Sequence, residues 1–520
     1  MNLRAGGRAA AYISLVALLW GTQSIPALAQ DNDTDVAACA ALSREPQVVV
    51  RFEPVPTTLA ASFPGEPPAT LPPHCRVEGV LQPVAGSRIG YVLLLPLRAD
   101  WTGRYQMLGN GGYSSRLPMS AMAKALAHGS AAIATDTGHQ GEDPDFALGR
   151  PEAIVDWGWR AVHLTALAGK TVVTRFYGRP ARYSYFAGCS TGGHQAMMEA
   201  QRFPEDFDGI VAGAPGADRV RLNAAFLWQF LSNHDDGPHP VLYAADLNLL
   251  QANARTQCRS SNGGKAGGLA SDSWINDPLS CKPDLQKLAC GPGRSLQCLT
   301  PAKIAVARMM YTGAVDMRNG ANMTFPWLPG SESGWQHYWA DPSDPTRPMR
   351  VNFWRVWAFG NPTWSWHSFD YGRDLPAVQA RLSPIIDATS PDLSAFRSRG
   401  GRLLQYHGLD DPVVSPLDTL DKRHAMLKRT GSNDDWQRLF LIPGMQHCAG
   451  GDGFTRFDTQ WVIERWVEQG EAPARIVAQD AAGRSRPLCP YPARAVLTGE
   501  RPDDASSFTC TPSNNMKERQ

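Results

Sequence analysis

The chain has 520 residues, of which 43% are hydrophobic and 19% charged, and its formal net charge is +1. Such a composition suits a globular protein of one large elaborated domain or two to three smaller ones. The near-neutral balance excludes a basic nucleic-acid surface and points to a neutral or weakly anionic small molecule as partner.

The first 29 residues read as a signal peptide. Arg4 and Arg8 precede the apolar stretch Ala9 to Trp20, and Ala27-Leu28-Ala29 supplies a small-x-small cleavage site. Cleavage turns the net charge to −1 and leaves no apolar stretch long enough to span a bilayer. The mature protein is therefore expected to be secreted or periplasmic, off the membrane. All ten cysteines lie beyond the cleavage site, and an even number in an exported chain argues for disulfides. None stands in a CxxC pair, which disfavours a zinc or redox centre. Cys290 and Cys298 are spaced for a local bridge.

Residues 30–73, rich in Pro, Ala and Thr, read as an extended lead-in rather than a core element. Strand-like runs follow at Tyr91–Pro96, Tyr105–Leu108 and Ala131–Asp136, with a helix-compatible segment, Ser120–His128, before the third. Residues 152–176 read as one long helix. Tyr183–Ala187 is a strand, Thr191–Gln201 a helix and Gly209–Gly213 a strand. Strands alternating with helices imply a mostly parallel sheet covered on both faces. The alternation fails over 218–390, which holds a Gly-rich stretch, four cysteines and nine of the sixteen tryptophans. This segment reads as an insertion. The pattern returns with strands at Arg402–His407 and Arg438–Ile442, a helix at Thr459–Gly470 and a Pro-rich tail.

The central motif is Gly188-Cys189-Ser190-Thr191-Gly192, a G-x-S-x-G between a strand and a helix. That is the context of a nucleophile elbow, whose tight turn lifts the serine above the sheet. The resulting fold class is α/β, of the α/β-hydrolase type, with a large inserted lid domain. Its core is split into 30–217, carrying the nucleophile, and 391–520, carrying the acid and base, around the lid at 218–390. A serine hydroxyl needs a base and an orienting acid, in the chain order Ser, Asp, His. Asp410 and Asp411, after one late strand, are both candidates for the acid, with Asp411 preferred because it precedes Pro412. His447, after the next strand, is the candidate base; His407 precedes the acid and reads as structural. The oxyanion needs preorganised N–H donors. Thr191 is one, and the loop Gly109-Asn110-Gly111-Gly112 offers the other through Gly111 or its neighbour Gly112. If Ser190 and His447 converge, their neighbours Cys189 and Cys448 are brought within bridging distance.

The elbow with Gly193, Gln195 and Ala196, together with Phe207–Pro215, Asp136–His139, Arg160–His163, His407–Pro412 and Gly444–Cys448, resembles the tannase and feruloyl esterase family from about Cys39 to Cys510. The resemblance implies Ser190, Asp411 and His447 as the triad and the bridge Cys189–Cys448. It further implies the pairs Cys39–Cys75, Cys258–Cys281, Cys290–Cys298 and Cys489–Cys510. No cofactor is implied for the chemistry. Family members commonly hold a structural calcium in an Asp-rich loop just after the cysteine matching Cys258. Here Arg259 and Asn262 stand where acidic ligands are expected, leaving Asp272, Asn276 and the carbonyl of Trp274 as ligand candidates.

The activity so implied is hydrolysis of feruloyl, hydroxycinnamoyl or galloyl esters through an acyl-enzyme. Trp357, Trp364, Trp366 and Phe369 are candidates for an aromatic slot, although any one tryptophan is more often core. Arg355 and Arg373 are candidates for holding an anionic substrate. Two alternatives compete: a mono(2-hydroxyethyl) terephthalate-type monoester hydrolase, against which Thr191 argues, and a non-catalytic binding module of the same fold. The triad alone would equally serve a peptidase or thioesterase.

Overall fold

The computed structural model describes residues 27–44, 47–59, 68–234, 239–259, 268–269, 271–291, 297–431 and 435–512. Most of the expected signal segment lies outside them; its last three residues open helix α1 (Ala27–Ala41). Nine strands form the main sheet: β1 (Val48–Glu53), β2 (His74–Leu81), β3 (Ile89–Pro96), β4 (Arg104–Leu108), β5 (Ser130–Thr135), β6 (Tyr183–Cys189), β7 (Gly209–Gly213), β8 (Arg402–Gly408) and β9 (Gln437–Ile442). Their spatial order is β1-β2-β3-β5-β4-β6-β7-β8-β9. The pairings up to β3–β5 are antiparallel, and every later one is parallel.

Central strands such as β5 are buried at every position, which is why they read as continuous apolar runs rather than alternating ones. Alternation survives in which core each residue enters. Leu93, Leu95, Met107 and Ile133 pack with Val162, Ala166 and Val173 of helix α3 (Ala161–Tyr177). Val92, Leu94, Leu108 and Ala132 pack on the opposite face with Met122 and Leu126 of helix α2 (Met119–Ala127). The mixed sheet with helices on both faces is of the α/β-hydrolase type.

The lead-in reading of 30–73 needs correction. This stretch supplies α1 and the edge strand β1, whose β-branched run Val48-Val49-Val50 pairs antiparallel with β2, and Cys39–Cys75 ties α1 to β2. The helix expected at 152–176 is interrupted by a wider turn at Asp156–Arg160, where the Asp156 carboxylate accepts from Ser87 and Arg160.

The described residues of 214–401 add no strand to the main sheet, whose halves meet where Gly209–Gly213 pairs with Arg402–Tyr406. The intervening segment has one aromatic core of its own and a second that it shares with Tyr113 and Trp157. One gathers Trp327, Trp335 and Trp339, the other Phe353, Trp354, Trp357 and Phe369. The segment docks on both sides of the sheet's carboxyl ends. Asn352 donates to Asp143 at 2.8 Å and Trp357 to the Pro144 carbonyl at 2.7 Å, while Ser415 donates to the Pro326 carbonyl at 2.5 Å. Cys258–Cys281 and Cys290–Cys298 brace it, and Cys489–Cys510 braces the C-terminal tail.

The donor set proposed for calcium does not fit the ion. Both Asp272 oxygens accept from Arg486, at 2.8 and 3.1 Å, and one accepts also from the Asn276 amide and the Leu269 N–H. The guanidinium is itself buried over Trp274, Phe454 and Phe508. A lone carboxylate already neutralised by a fixed cation offers calcium little, because the ion favours several anionic or carbonyl oxygens. Arg259 is exposed, and Asn262 lies outside the described residues.

A second buried charge problem sits between α3 and helix α4 (Thr191–Arg202). His163, Glu199 and Asp206 place their ligand-type atoms within 4.8 Å of one another. His163 bonds Asp206 at 2.6 Å and stacks on Phe203. Glu199 is fully buried, and burial first, then the Asp206 charge, pushes its carboxyl well above the usual range. Burial and the neighbouring carboxylate both favour its protonated form.

Two outcomes are expected. Calcium and chelator should each leave Tm unchanged, whereas an ion at 100-fold its Kd would add about 2.7 kcal/mol; Arg486→Met, which strands Asp272, should cost ~3–5 kcal/mol in denaturant melts. For Glu199 the folded carboxyl titrates above the unfolded one, so its contribution is complete below about pH 4 and is lost as pH rises towards the folded value. Glu199→Gln should therefore gain on the parent by ~1 kcal/mol or more between pH 5 and pH 8.5, read as the difference in unfolding free energy.

Candidate active site

Strand β6 runs into α4 through Ser190, which has φ 63° and ψ −117°, a region that L-residues rarely occupy. The turn is held by backbone bonds: Ser190 N–H donates to the Gly213 carbonyl at 3.0 Å, and the Ser190 carbonyl accepts from His194 and Gly216. Its flanking glycines are there for space. A Cβ on Gly188 would stand 2.6 Å from the Gly192 backbone, and one on Gly193 would stand 2.3 Å from the Gly213 carbonyl oxygen. Helix α4 begins directly after the serine, so its first N–H groups and its dipole favour negative charge beside Ser190.

Asp411 follows β8 and is completely buried. Its Oδ1 accepts from the N–H groups of Val413 and Val414, at 2.8 and 3.0 Å. Its Oδ2 lies 2.7 Å from His447 Nδ1 and 3.2 Å from His407 Nε2. Burial works against this charge, but the two imidazoles and the hydrogen bonds overcome it and hold the carboxyl well below the usual carboxylate range. With Nδ1–H donated to Asp411, Nε2 of a neutral His447 is left as an acceptor, the form a general base requires.

The two acids left open by spacing are separated by their surroundings. Asp410 is also buried, but no donor reaches its Oδ1, and burial pushes its carboxyl well above the ordinary value. Its carboxyl faces Gly330, and it is the Asp411 carboxyl that meets His447. His407 bonds Thr419 and the Val414 carbonyl as well as Asp411, so both its nitrogens are committed. Cys189 and Cys448 are bridged across 259 positions of sequence, with Cα atoms 5.9 Å apart. The bridge fixes the residues beside Ser190 and His447 to each other; Cys448 takes a left-handed φ of 65° to make it.

The loop after β4 lies against the start of α4. Asn110 and Gln195 exchange two bonds, at 3.3 and 2.7 Å, and Thr191 Oγ1 donates to the Gly112 carbonyl at 2.8 Å. Gly112 has φ 57° and stands against Arg350, while the space beside Gly111 is open. The N–H groups of Thr191 and Gly111 thus belong to two segments pinned together.

The aromatic slot candidates are distributed otherwise than the slot reading expects. Trp357 is 3% exposed, with its ring against Tyr113, Trp157 and Phe353, and is core. Phe369 is packed on Trp354 and Tyr371. Trp364 and Trp366 are only half-buried. Arg355 is spent on the Trp364 carbonyl, and Arg373 on Asp374 at the surface. Sequence reasoning passed over Arg219 and Arg350. Arg219 donates to Thr191, and Arg350 lies over the Tyr113 ring beside Gly112. Neither sits in a motif; only the Thr191 side chain and the crowding at Gly112 reveal them.

Comparison with known proteins shows the family. The family model described as tannase and feruloyl esterase matches residues 75–511. The chain is 33% identical to mono(2-hydroxyethyl) terephthalate hydrolase of Piscinibacter sakaiensis, over 85% of each chain. It is 31% identical to a probable feruloyl esterase B of Aspergillus niger, over 80% of this chain and 82% of that one. Among solved structures, feruloyl esterase B from Aspergillus oryzae superposes with a TM-score of 0.83 at 25% identity, covering 92% of this chain and all of that one. The chain belongs to the tannase and feruloyl esterase family, and it is a carboxylic ester hydrolase.

Proposed function

We propose that the chain hydrolyses esters of aromatic acids, feruloyl, hydroxycinnamoyl or galloyl, through an acyl-enzyme on Ser190. His447 takes the serine proton as Oγ attacks the ester carbonyl, then returns it to the departing alcohol. Water, deprotonated by the same imidazole, releases the acid and regenerates the serine. Asp411 holds the imidazole tautomer and stabilises the imidazolium. The N–H groups of Thr191 and Gly111 receive the oxyanion. The observation that carries this reading is the buried Asp411–His447 bond at 2.7 Å, tied by Cys189–Cys448 to a serine in a strained elbow.

The inserted segment acts in this reading as a lid. Its contact with Ser415, at the end of the loop that carries Asp411, and its contacts with the 143–144 loop support that reading. A monoester of terephthalate is the second reading. It is favoured by Arg350, a half-buried cation beside Gly112 that forms no ion pair among the described residues and could take a substrate carboxylate. Export is part of the proposal, since five disulfides suit an oxidising compartment and no helix among the described residues is long and apolar enough to cross a membrane.

Purified mature protein should turn over methyl ferulate or methyl gallate, and Ser190→Ala should abolish that turnover. Asp411→Asn should lower kcat by about 10⁴-fold with little change in KM, because the imidazole is left in the wrong tautomer. Preference for mono(2-hydroxyethyl) terephthalate over both methyl esters, lost in Arg350→Gln, would select the second reading. Failure of folded, disulfide-intact protein to cleave any of the three would refute both.

A further inference from the structure

Arg219 opens helix α5 (Arg219–Asn233) and is 4% exposed, yet it forms no ion pair among the described residues. Its Nη2 donates to Thr191 Oγ1 at 3.0 Å, and that hydroxyl passes its own proton to the Gly112 carbonyl at 2.8 Å. Its Nε has no hydrogen-bond partner. The guanidinium lies over the faces of Trp157 and Tyr113, 5.1 and 5.8 Å from the ring centroids. Arginine does not lose its proton in proteins, so the cation persists. A buried cation with no acid in contact is costly, and cation–π attraction offsets only part of that cost.

The cation's place is informative. Thr191 supplies the proposed oxyanion N–H after the nucleophile, and Gly112 adjoins the other. The loop that carries the second donor is held at one end by the Asn110–Gln195 pair and further along by Thr191 Oγ1 on the Gly112 carbonyl, next to the bond between His139 and the Tyr113 carbonyl at 2.7 Å. Fixing the Gly112 carbonyl fixes the plane of the peptide to Tyr113, and so anchors the far side of the turn that presents the Gly111 N–H. Donors of this kind act because they need no reorganisation when charge develops.

We infer that Arg219 is a positioning residue of the oxyanion site, acting through the Thr191 hydroxyl to hold the Gly112 peptide, with its uncompensated charge favouring the anionic intermediate over the neutral ester. This rests on the acyl-enzyme reading above. The hydroxyl is the element that matters: serine can relay the same two bonds, whereas valine has the shape of threonine but can relay neither.

The test compares Thr191→Val, Thr191→Ser, Arg219→Met and the Val/Met double variant, using the best-hydrolysed ester of the panel, with Ser190→Ala alongside. Thr191→Val and Arg219→Met should each lower kcat about 10–100-fold with KM within about two-fold, less than deletion of a direct oxyanion donor. Thr191→Ser, which keeps both bonds, should lose far less kcat than Thr191→Val. The double variant should be no worse than the poorer single one, because both cut the same relay. A phenylboronic acid, which forms a tetrahedral anion on the serine, should lose affinity in step with kcat, while the product acid should not. Should Arg219→Met fail to fold, the valine–serine pair still decides the matter. Parental kcat in Thr191→Val, equal losses in valine and serine, additive losses, or a rise in KM alone would overturn the inference. Turnover that survives Ser190→Ala would instead bring down the acyl-enzyme reading on which it rests.

Discussion

A single buried carboxylate organises the reacting end of this molecule. Asp411 has no solvent to share its charge, so protein groups must supply everything water would have given. Two backbone N–H groups and two imidazoles do so. That requirement explains the shape of the 410–415 loop, which curls back so that Val413 and Val414 can donate. It also explains why His407, which reads as a rival base, is present at all. It is bonded to the same oxygen as His447, with its remaining valence spent on Thr419 and Val414. Around this anion the sheet supplies rigidity, and Cys189–Cys448 supplies registration between strand ends that are remote in sequence.

Cations are placed by the same logic of satisfying buried charge, but with three different solutions. Arg486 is neutralised by Asp272, a pair that ties the intervening segment to the C-terminal part of the chain. Arg160 is paired with Asp156 and Glu152 beneath the irregular turn before α3. Arg219 has only aromatic faces and a hydroxyl, and it is the one that points at the proposed site of developing negative charge. The contrast separates cations that hold the fold from one whose placement the fold alone does not account for.

Much of this was legible in the sequence, for reasons that can be stated. The elbow is local: six consecutive residues specify a strand end, a strained serine and three close backbone approaches. The candidate acid and base each follow a readable apolar strand, so chain order and strand ends sufficed to nominate them. Choosing Asp411 over Asp410 was less secure, because the choice depends on which carboxylate meets donors, and the donors are on other loops. The edge strand β1 was missed because a Pro- and Ala-rich surrounding masked three valines. Trp357 was misplaced because an aromatic residue carries no mark of whether its ring faces a cleft or a core. Arg219 and Arg486 were invisible, since each gains its meaning from a partner far away in sequence, Thr191 in one case and Asp272 in the other.

The junction of β7 with β8 has a consequence for how such a molecule can vary. Residues 214–401 leave the sheet after Gly213 and rejoin it at Arg402, so the whole inserted segment closes one loop between two paired strands. The entropy of closing a loop rises only with the logarithm of its length, about 0.6 kcal/mol for each doubling. Lengthening the segment therefore costs the sheet almost nothing in closure entropy, provided that its own core around Trp327, Trp335 and Trp339 supplies the order of what is added. In the acyl-enzyme reading, the proposed apparatus of Ser190, Asp411 and His447 can stay fixed while the segment beside it is lengthened, and the sheet is spared from renegotiating its stability with each change.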